Sequence, residues 1–555
     1  MKIKLLPLVL LTLGQGAIAQ QIPQAGSLLQ QLPPAPQAQA AEPSIRIEEG
    51  TAPVAPGADA VRVRVDALSV TGATRFGAAE LVAATQFKPG SNLTLAELEA
   101  MAARITEFYR HHGYFVARAY LPPQDVTRHV VTIAVVEGTY GKVTLRNSSR
   151  LSDDVAMARL AGVDAAGPIE LAPLESRLLL LSDLPGVRTT STLVPGQAPG
   201  TSDLVVDVAP GPLLSGSVDA DNAGNPYTGE ARVGATLNLN DPLGRGDVAS
   251  LRLLTSGPGL RYGRVSYQMP FGARFAAGVA YSKLDYELGK KFEVLDANGS
   301  AEVASVFGTV TLARSRATNL YAGLAYEDRT FQDRIDLFDA VTDKKAHAGI
   351  ATLYGNHQDG FGGGGMTAFT LALTAGSLDI RTPQALVADA ASARTNGAYQ
   401  KLWFNASRVQ RVTDVFSLRA SVTGQLASGN LDQSEKMVLG GMDGVRAYPQ
   451  GEAFGDQGYV GSLEASLLLA GLSGHVPGQV HLLAFVDGGH VTINKDPWGA
   501  GDNSRTLGSG GLGLTWDEPG NFAVRTYYAR KLGGGEAMSA PDTSGRFWIQ
   551  AIKFF

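Results

Sequence analysis

The most informative stretch of this 555-residue chain is Gly440-Gly441-Met442-Asp443-Gly444-Val445-Arg446-Ala447-Tyr448-Pro449-Gln450-Gly451-Glu452. It lies in a long glycine-rich loop between two segments in which apolar and polar residues alternate, as in a β-strand with one wet face. One predicted strand further on comes Phe485-Val486-Asp487-Gly488-Gly489. The alternation places Asp487 on the polar face of that strand, and a buried arginine such as Arg446 needs an acidic partner. The two residues are therefore candidates for an ion pair, although separate solvation of both side chains fits the residues alone equally well.

Together the two segments resemble the loop and strand motifs of the two-partner secretion transporters (TpsB family, haemolysin or haemagglutinin secretion type). The resemblance implies an outer-membrane pore that exports one large partner protein, with the loop folded into the lumen. It implies a loop-to-wall lock formed by Val445, Arg446, Tyr448, Phe485, Asp487 and Gly489. One departure is visible, because the family often has glycine where this chain has Ala447, and alanine restricts the backbone more than glycine does.

The composition limits the class of protein further. Hydrophobic residues make up 44% of the chain and the mean hydropathy is near zero, which does not fit a helical membrane protein. The 66 glycines favour many turns. The chain has no cysteine, which excludes disulfides and thiolate metal sites. With a net charge of −5 and a pI near 6.0, it lacks the basic footprint of a nucleic-acid-binding protein.

Signatures of catalysis are missing from the sequence. Neither G-x-S-x-G nor H-E-x-x-H occurs, and the eight histidines show no metal-ligand spacing. The run Gly508-Ser509-Gly510-Gly511-Leu512-Gly513 matches G-x-G-x-x-G. It falls in a predicted strand with no helix behind it, so the context that a dinucleotide site requires is absent. We therefore expect no enzyme activity, no cofactor and no metal site.

The N-terminus reads as a secretory signal over residues 1–19. Lys2 and Lys4 precede a short apolar core, and Ala17-Ile18-Ala19 provides a cleavage site. The apolar core is too short to cross a bilayer, and no later stretch reaches about 18 apolar residues. If the mature chain spans a membrane, it must do so as a β-barrel.

Residues 20–34 are predicted to form an amphipathic helix. Ala25, Leu28, Leu29 and Leu32 recur at the spacing of one helical face, and Pro33-Pro34 stop the helix. A disordered leader with accidental leucines is the alternative. The family resemblance implies that this helix plugs the barrel. Residues 35–60 are rich in Ala, Pro, Gln and Gly and are predicted to be a linker.

Two small α+β modules follow, at 61–138 and 139–211. Each reads strand, helix, helix, strand, strand, so the chain contains an internal repeat. In the first module Thr94 and Glu97 form a capping-box pattern at the start of the longer helix. Both modules resemble the POTRA domain, the second through Leu184-Pro185-Gly186-Val187 and Gly200-Thr201-Ser202-Asp203-Leu204. A generic pair of α+β domains is the alternative.

From 212 to 555 the chain is predicted to form an outer-membrane β-barrel with an inward loop at 428–457. Segments of about ten residues alternate strictly between apolar and polar positions, and short turns alternate with long polar loops, as in transmembrane barrels. Counting the segments gives about 16 strands. The terminal Phe555 resembles the signal for outer-membrane assembly, although Lys553 interrupts its apolar face. A soluble β-sandwich would not readily explain these features together with a signal peptide.

The predicted fold is therefore α+β periplasmic modules followed by a transmembrane antiparallel β-barrel in the bacterial outer membrane. The resemblance implies a secreted partner exoprotein of TpsA type (a haemolysin, adhesin or related protein) as cargo. The remaining partners are outer-membrane lipid and the barrel-assembly machinery, without nucleic acid. A BamA-like insertase is the alternative function, but proteins of that kind carry more POTRA repeats than the two found here.

Overall fold

The computed structural model describes residues 22–36, 44–47, 61–126, 128–163, 167–472 and 474–555. The chain forms two compact units, one from residues 41–212 with 243–246 and the other from the remaining residues. The predicted signal at 1–19 and most of the predicted linker lie outside the described residues. Within the linker, a short strand is present. The first described elements are α1 (Ala25–Gln30) and β1 (Ser44–Ile47).

The first α+β module has the two predicted helices and two small sheets. Its elements are β2 (Arg62–Val65), β3 (Ala67–Thr71), α2 (Ala78–Ala84), β4 (Ser91–Thr94), α3 (Leu95–His111), β5 (Arg118–Tyr120) and β6 (Val130–Val136). The predicted capping box is present, because the backbone N–H of Glu97 donates to the Thr94 hydroxyl and the Glu97 carboxylate accepts from the Thr94 N–H. The buried face of α3 then packs on the sheet with Ile105 and Tyr109 at its centre.

The alternation of residues at 61–70 predicts a single strand, but the structure has two strands there, β2 and β3, which belong to different sheets. β2 pairs with β4, whereas β3 pairs in parallel with β6. The break falls at Asp66, where the backbone N–H groups of Asp66 and Ala67 both donate to the His129 carbonyl. That long-range bond turns the chain, and nothing in the local alternation of arginines and valines signals it.

The second module has the order strand, helix, helix, strand, strand, without the strand that separates the two helices of the first module, and it gains one strand from outside. It consists of β7 (Thr139–Asn147), α4 (Asp153–Leu160), α5 (Leu171–Ser182), β8 (Val187–Pro195) and β9 (Thr201–Pro210). The sheet order is β1-β8-β9-β7, so β1 of the predicted linker lies at its edge. Leucines of α5, among them Leu174 and Leu178, are buried against this sheet.

Sixteen antiparallel strands close into a barrel, which confirms the predicted number. Its first eleven strands are β10 (Leu214–Asp221), β11 (Arg232–Asn240), β12 (Val248–Thr255), β13 (Leu260–Phe271), β14 (Phe275–Glu287), β15 (Ala297–Arg314), β16 (Thr318–Ile335), β17 (Ala340–Asp359), β18 (Gly365–Ile380), β19 (Gly397–Arg411) and β20 (Phe416–Ala427). A helix, α6 (Pro383–Ala390), lies in the loop before β19.

The loop between β20 and the next barrel strand contains its own small hairpin, β21 (Met437–Val438) and β22 (Phe454–Gly455). The barrel is completed by β23 (Gln457–Leu468), β24 (Gln479–Thr492), β25 (Ser504–Glu518), β26 (Phe522–Lys531) and β27 (Gly545–Phe554). β27 pairs with β10 and closes the ring. The run at 508–513 lies inside β25, as predicted. Among the described residues, no helix is long and apolar enough to cross a membrane.

The strands differ in length, from 8 residues in β10 to 20 in β17. The polar residues at 328–344 predict a long loop between two strands, but most of this segment is strand, because β16 continues to Ile335 and β17 begins at Ala340. The outward residues Leu324 and Tyr326 are exposed and apolar, whereas Asp328, two positions further, is polar. Charged residues outside the hydrocarbon interrupt the apolar alternation, so a strand that extends beyond the membrane looks like a loop in the sequence.

Candidate functional site

The guanidinium of Arg446 lies buried between the loop at 428–456 and the barrel wall. Its Nη2 donates to Oδ1 of Asp487 at 2.6 Å and its Nε to Oδ2 at 2.9 Å, which is the two-pronged arrangement that favours arginine over lysine. The backbone N–H of Arg446 reaches the same carboxylate at 3.2 Å. The structure therefore brings together the two residues that the sequence singled out, and it excludes separate solvation of the two side chains.

Neighbouring strands satisfy the remaining hydrogen-bonding groups of the pair. Ser462 on β23 and Ser509 on β25 each donate to the Asp487 carboxylate at 2.8 Å. Glu464, also on β23, accepts from Nη1 of Arg446 at 3.0 Å. Arg419 on β20 lies 4.0 Å from Glu464, so two carboxylates face two guanidinium groups. A buried ion pair is stable only when its other polar groups are also satisfied, and here they are.

Aromatic side chains complete the surroundings of Arg446. The Cζ atom of Arg446 lies 3.4 Å from the centroid of the Phe485 ring and 5.0 Å from that of Tyr527. The indole N–H of Trp548 donates to the Arg446 carbonyl at 2.7 Å. Stacking of a guanidinium on an aromatic face is attractive and excludes water, so these rings fix both the position and the orientation of Arg446.

The other predicted lock residues hold the loop itself in place. Val445 is fully buried and its N–H donates to the Leu439 carbonyl at 2.8 Å. The Tyr448 hydroxyl donates to the Gly533 carbonyl at 2.8 Å, which joins the loop to the segment after β26. At Gly489 a Cβ atom would lie 3.1 Å from the Leu439 side chain, so a glycine there lets the loop approach the wall.

The backbone of Ala447 does not need the freedom of glycine. Positive φ angles in this loop occur at Gly441, Gly451 and Ala453, not at 447. Ala447 is fully buried in the same apolar cluster as Val445. The departure from the family pattern at this position therefore costs no backbone strain.

Sequence reasoning missed several charged residues that also anchor the loop. Glu452 is fully buried and accepts from Arg505 and from the backbone N–H of Ser539. Lys436 lies 2.7 Å from Asp456. The Glu435 carboxylate joins the loop to the opposite wall, where it meets the cations and the phenol of Arg329, Lys401 and Tyr399. Nothing in the sequence marked these pairs beyond the prediction that the loop folds inward.

Helix α1 lies inside the barrel against the wall of β14–β16. The N–H of Ala25, at the first turn of the helix, donates to Asp333 at 2.8 Å, and the Tyr286 hydroxyl donates to the same oxygen at 2.7 Å. Ala25 and Leu28 are buried in a cluster with wall residues such as Phe331. Leu29 and Leu32 are only partly buried, and they pack on the edge of this cluster. All four residues of the predicted apolar stripe therefore contact the interior of the barrel.

The helix also touches the inward loop and the first barrel strands. Gly26 lies so close to Ser434 that a Cβ at position 26 would be 2.5 Å from the Ser434 Cβ. The Gln30 amide donates to the Ser434 carbonyl. At the C-terminal end of the helix, the Gln31 side chain accepts a hydrogen bond from the Asn225 amide, and the Gln31 carbonyl accepts one from the Arg232 guanidinium. A cavity of about 640 Å³ remains between α1, the loop and the wall.

In this arrangement both α1 and the inward loop occupy the lumen of the barrel. A helix and a loop fill a lumen whose wall carries paired charges, and each is bonded both to the wall and to the other. No group of three or more potential metal ligands occurs among the residues that the structure describes. The chemistry available at the site is the making and breaking of ion pairs and hydrogen bonds.

Comparison with known families assigns the chain. The sequence profile described as haemolysin secretion/activation protein ShlB/FhaC/HecB matches residues 200–516, which is more than half of the chain. The profile of the ShlB-type POTRA domain matches residues 63–138.

Individual relatives are similar to this chain over most of its length. The heme/hemopexin transporter protein HuxB of Haemophilus influenzae is 28% identical over 475 residues, covering 84% of this chain and 82% of HuxB. The outer membrane transporter CdiB of Dickeya dadantii is 24% identical over 437 residues, covering 76% of this chain and 74% of CdiB.

Solved structures share the fold. CdiB from Escherichia coli gives a TM-score of 0.65 at 20% identity, covering 91% of this chain and 93% of that one. BamA from Haemophilus ducreyi lacking POTRA domains 1–3 gives a TM-score of 0.53 at 15% identity, covering 89% of this chain and 100% of that one. BamA, the basis of the alternative function, is thus a more distant relative. The chain belongs to the haemolysin secretion/activation (ShlB/FhaC/HecB) family and is an outer-membrane β-barrel transporter, with periplasmic POTRA domains, that exports a partner protein by two-partner secretion.

Proposed function

We propose that the described state is the resting state of the transporter, closed by α1 and by the inward loop. The observation that carries this proposal is that both elements lie in the lumen and contact each other at Gly26 and Ser434. Export then requires α1 to leave and the loop to rearrange, while Arg446 and Asp487 keep the loop attached to the wall. The residues of the plug are Ala25, Leu28, Leu29 and Leu32.

The POTRA modules bind the unfolded exoprotein before it enters the pore. They are the folded periplasmic parts of the chain, and strands at the edges of small sheets readily accept a further strand. No nucleotide site is expected from the sequence, so progressive folding of the cargo outside the cell would bias its movement. This part of the proposal rests on the family relationship and on the edge strands of the sheets in both modules.

The other partners follow from the outer surface of the barrel. Exposed apolar residues such as Leu324, Leu371 and Val486 point away from the lumen and suit contact with lipid. The terminal Phe555, exposed beside β27, suits recognition by the barrel-assembly machinery during insertion. We further propose the limits 1–19 for the signal, 20–34 for the plug and 35–60 for the linker, and a purely non-enzymatic role.

A secreted protein concerned with heme or hemopexin is the cargo class to test first. HuxB carries that description, and its similarity spans most of both chains. The identity of the cargo is determined by the residues that contact the exoprotein, and the family profile does not show which residues these are.

A secretion assay tests the proposed function. Cells carrying this chain and the exoprotein of the neighbouring reading frame should release that exoprotein into the medium. Removal of residues 61–210 should abolish release while the barrel remains in the outer membrane. A purified 61–210 fragment should capture the unfolded N-terminal region of the exoprotein and not its folded form. Release that is unaffected by the deletion would refute POTRA-dependent recognition.

A further inference from the structure

Strands β14–β18 change from apolar to polar side chains at one level on the outside of the barrel. Because β10 begins directly after the periplasmic modules and neighbouring strands are antiparallel, β14 and β16 end on the outer side. The outward side chains Val306 and Leu324 are apolar and exposed. Further out, the strand register places Tyr281, Asp328 and His347 in one row. Counted from the first residue of β16, Asp328 is the eleventh, and a strand crosses the hydrocarbon in roughly 9–11 residues. This row therefore lies at the level of the lipid headgroups.

The next row outward carries alternating charges and is called the charged row below. Lys283 lies 3.0 Å from Glu302, and Lys345 lies 3.0 Å from Asp328 in the row beneath. All four side chains are partly exposed. Ion pairs in such positions contribute little, so both ammonium groups remain available to a stronger anion. The charged row consists of one residue from each of the strands β14–β18, namely Lys283, Glu302, Thr330, Lys345 and Asp379.

The two lysines of the charged row are separated by three strand spacings. Lys283 is on β14 and Lys345 is on β17. Neighbouring strands lie about 4.8 Å apart, so the two backbone positions are about 14 Å apart. Two cations at this separation suit an elongated headgroup that carries a phosphate at each end.

A groove of about 590 Å³ lies on the same outer surface, beside Lys345. On one side of it, the phenol of Tyr326 and the imidazole of His347 are hydrogen-bonded at 3.2 Å and stacked nearly in parallel. Across the groove, the small residues Gly349 and Ala375 follow Tyr326 in its row. The groove therefore offers room, directly beneath the charged row, for the part of a lipid that adjoins its headgroup.

These features belong to one flank of the barrel. At the outer ends of β11 and β12, the outward side chains Val233 and Leu253 are apolar and exposed. The charged row instead crosses β15, β16 and β17, which are the longest strands of the barrel. A lipid bound at the charged row would steady the strands that extend furthest beyond the membrane.

We propose that the outer ends of β14–β18 bind a phosphorylated glycolipid of the outer leaflet, with its two phosphates on Lys283 and Lys345 and the start of an acyl chain in the groove. A lysine binds phosphate as a point charge and needs no fixed geometry. The carboxylates of Glu302 and Asp328 do not oppose this binding, since a divalent cation that neutralises a phosphate also accepts carboxylate oxygens. The inference rests on the proposed contact between barrel and lipid, and it adds one flank and one class of headgroup.

The first experiment measures binding of a lipid with two phosphates. Full-length protein in an uncharged detergent with Mg²⁺ is titrated with fluorescent lipid A and with lipid A from which both phosphates have been removed. Lys283→Gln with Lys345→Gln should raise the Kd for lipid A at least tenfold. The matched control, Lys290→Gln with Arg530→Gln, removes two exposed cations outside the charged row and should stay within twofold of the wild type.

Removal of the phosphates should weaken binding to the wild type at least tenfold and should abolish the difference between the wild type and the lysine variant. An excess of inorganic phosphate should leave lipid A bound. Equal affinity of the wild type and the lysine variant for lipid A would overturn the proposal. Displacement of lipid A by inorganic phosphate would overturn it as well, because the lysines would then hold phosphate and not a lipid.

The second experiment fills the groove. Gly349→Leu with Ala375→Leu places two large side chains in it, and a Cβ at position 349 has its nearest neighbour 3.8 Å away, so the backbone accepts the change. Val279→Leu with Val306→Leu is the control, because both residues lie in the same row but outside the groove. The groove variant should bind lipid A at least fivefold more weakly than the control. Equal binding would remove the groove from the site.

A further measurement separates this inference from the proposed lipid contact. All variants should insert into phosphatidylcholine vesicles and show the conductance of the wild type, because the substituted side chains lie on the outer surface. If the wild type inserts but does not bind lipid A, the inference is wrong and the general contact with lipid stands. If the wild type inserts into no vesicle, the proposed lipid contact fails, and the inference fails with it.

Discussion

Gly26 of α1 and Ser434 of the inward loop are in contact at a distance that excludes any side chain at position 26. A Cβ there would lie 2.5 Å from the Cβ of Ser434 and 2.9 Å from its Cα, both closer than real contacts allow. Neither neighbour is the end of a flexible side chain, so the clash cannot be relieved by a rotamer change. The position of α1 in the lumen therefore depends on the position of the loop.

Substitution of Gly26 should open the channel. In Gly26→Val the new side chain would push α1 away from Ser434 and out of its apolar seat, since packed interiors do not absorb added methyl groups without strain. We expect a higher mean conductance in planar bilayers. Gly471→Val is the matched control, because nothing lies within 4 Å of a Cβ at that position. Conductance of Gly26→Val at the wild-type level would show that the contact does not hold the plug.

Deletion of residues 20–34 should raise single-channel conductance without abolishing export. The deletion removes α1 and its bonds to Asp333 and Ser434, but leaves the loop and both POTRA modules. Planar-bilayer recordings and the secretion assay together measure the two effects. An unchanged conductance would remove the plug from the proposed mechanism.

Arg446→Ala and Asp487→Ala should each insert normally and export poorly. Truncation of one partner of a buried charged pair costs about 2–5 kcal/mol, mainly because the other charge is left stranded. Barrel stability comes from the closed ladder of strand pairs, so folding should survive. Lysine at 446 should rescue only in part, because it lacks the planar fork. Secreted cargo, normalised to barrel abundance, is the measurement.

The double mutant and a third arginine provide the controls for this pair. Loss of both Arg446 and Asp487 should be little worse than either single loss, as expected for coupled residues. Arg419→Ala removes a half-exposed arginine that reaches Glu464 only at 4.0 Å, and it should export nearly as well as the wild type. Fully additive losses, or normal export from either single mutant, would show that the two residues do not act as a pair.

The first POTRA module should lose stability in acid through Glu137. Burial alone raises the pKa of this carboxyl, but hydrogen bonds from Thr74, Arg75 and Tyr109 outweigh burial and leave the pKa below its ordinary value near 4.5. The ionised form therefore stabilises the module above the unfolded pKa, and this contribution disappears as the pH falls through the lowered folded pKa.

The variant Glu137→Gln tests whether the Glu137 carboxylate causes this loss of stability in acid. At pH 6 the variant should be less stable by about 1–3 kcal/mol, the usual cost of a disturbed buried hydrogen-bond network. Between pH 6 and pH 3 it should also lose less stability than the wild type does. Urea unfolding of the 61–210 fragment followed by circular dichroism measures both effects, with the exposed Glu80→Gln on α2 as control. Parallel pH profiles for the wild type and Glu137→Gln would assign the acid sensitivity to other groups.

The barrel was predictable from a period of two in the sequence, whereas the pairing of Arg446 with Asp487 was implied by the family resemblance. The alternation of apolar and polar residues predicted the strands, and the position of Asp487 in that alternation predicted that its side chain points towards the lumen. Ser462, Glu464 and Ser509 could not be foreseen, because their approach to the Arg446–Asp487 pair depends on the register between three strands. Register is fixed by the whole closed sheet, and a single strand does not reveal it.

The strand β1 and the bounds of α1 could not be read from the sequence, each for a local reason. β1 has only four residues inside a segment rich in Pro and Ala, so its alternation is too short to stand out. Helix α1 is shorter than the predicted segment, since it begins at Ala25 and ends at Gln30. Glu435 and Glu452 gave no signal of burial in the sequence, since a buried carboxylate is recognisable only once its cation is in place.

The unequal strand lengths give the outer mouth of the pore an uneven rim. β10 and β12, with 8 residues each, fall just short of the roughly 9–11 residues that a strand needs to cross the hydrocarbon. β15, β16 and β17, with 18, 18 and 20 residues, extend well past it and stand in water as a polar, hydrogen-bonded screen. A polypeptide leaving the pore meets a wall on one flank and open solvent on the other. We therefore expect its first turns of structure to form in a half-sheltered space and the folded product to grow away from the tall side.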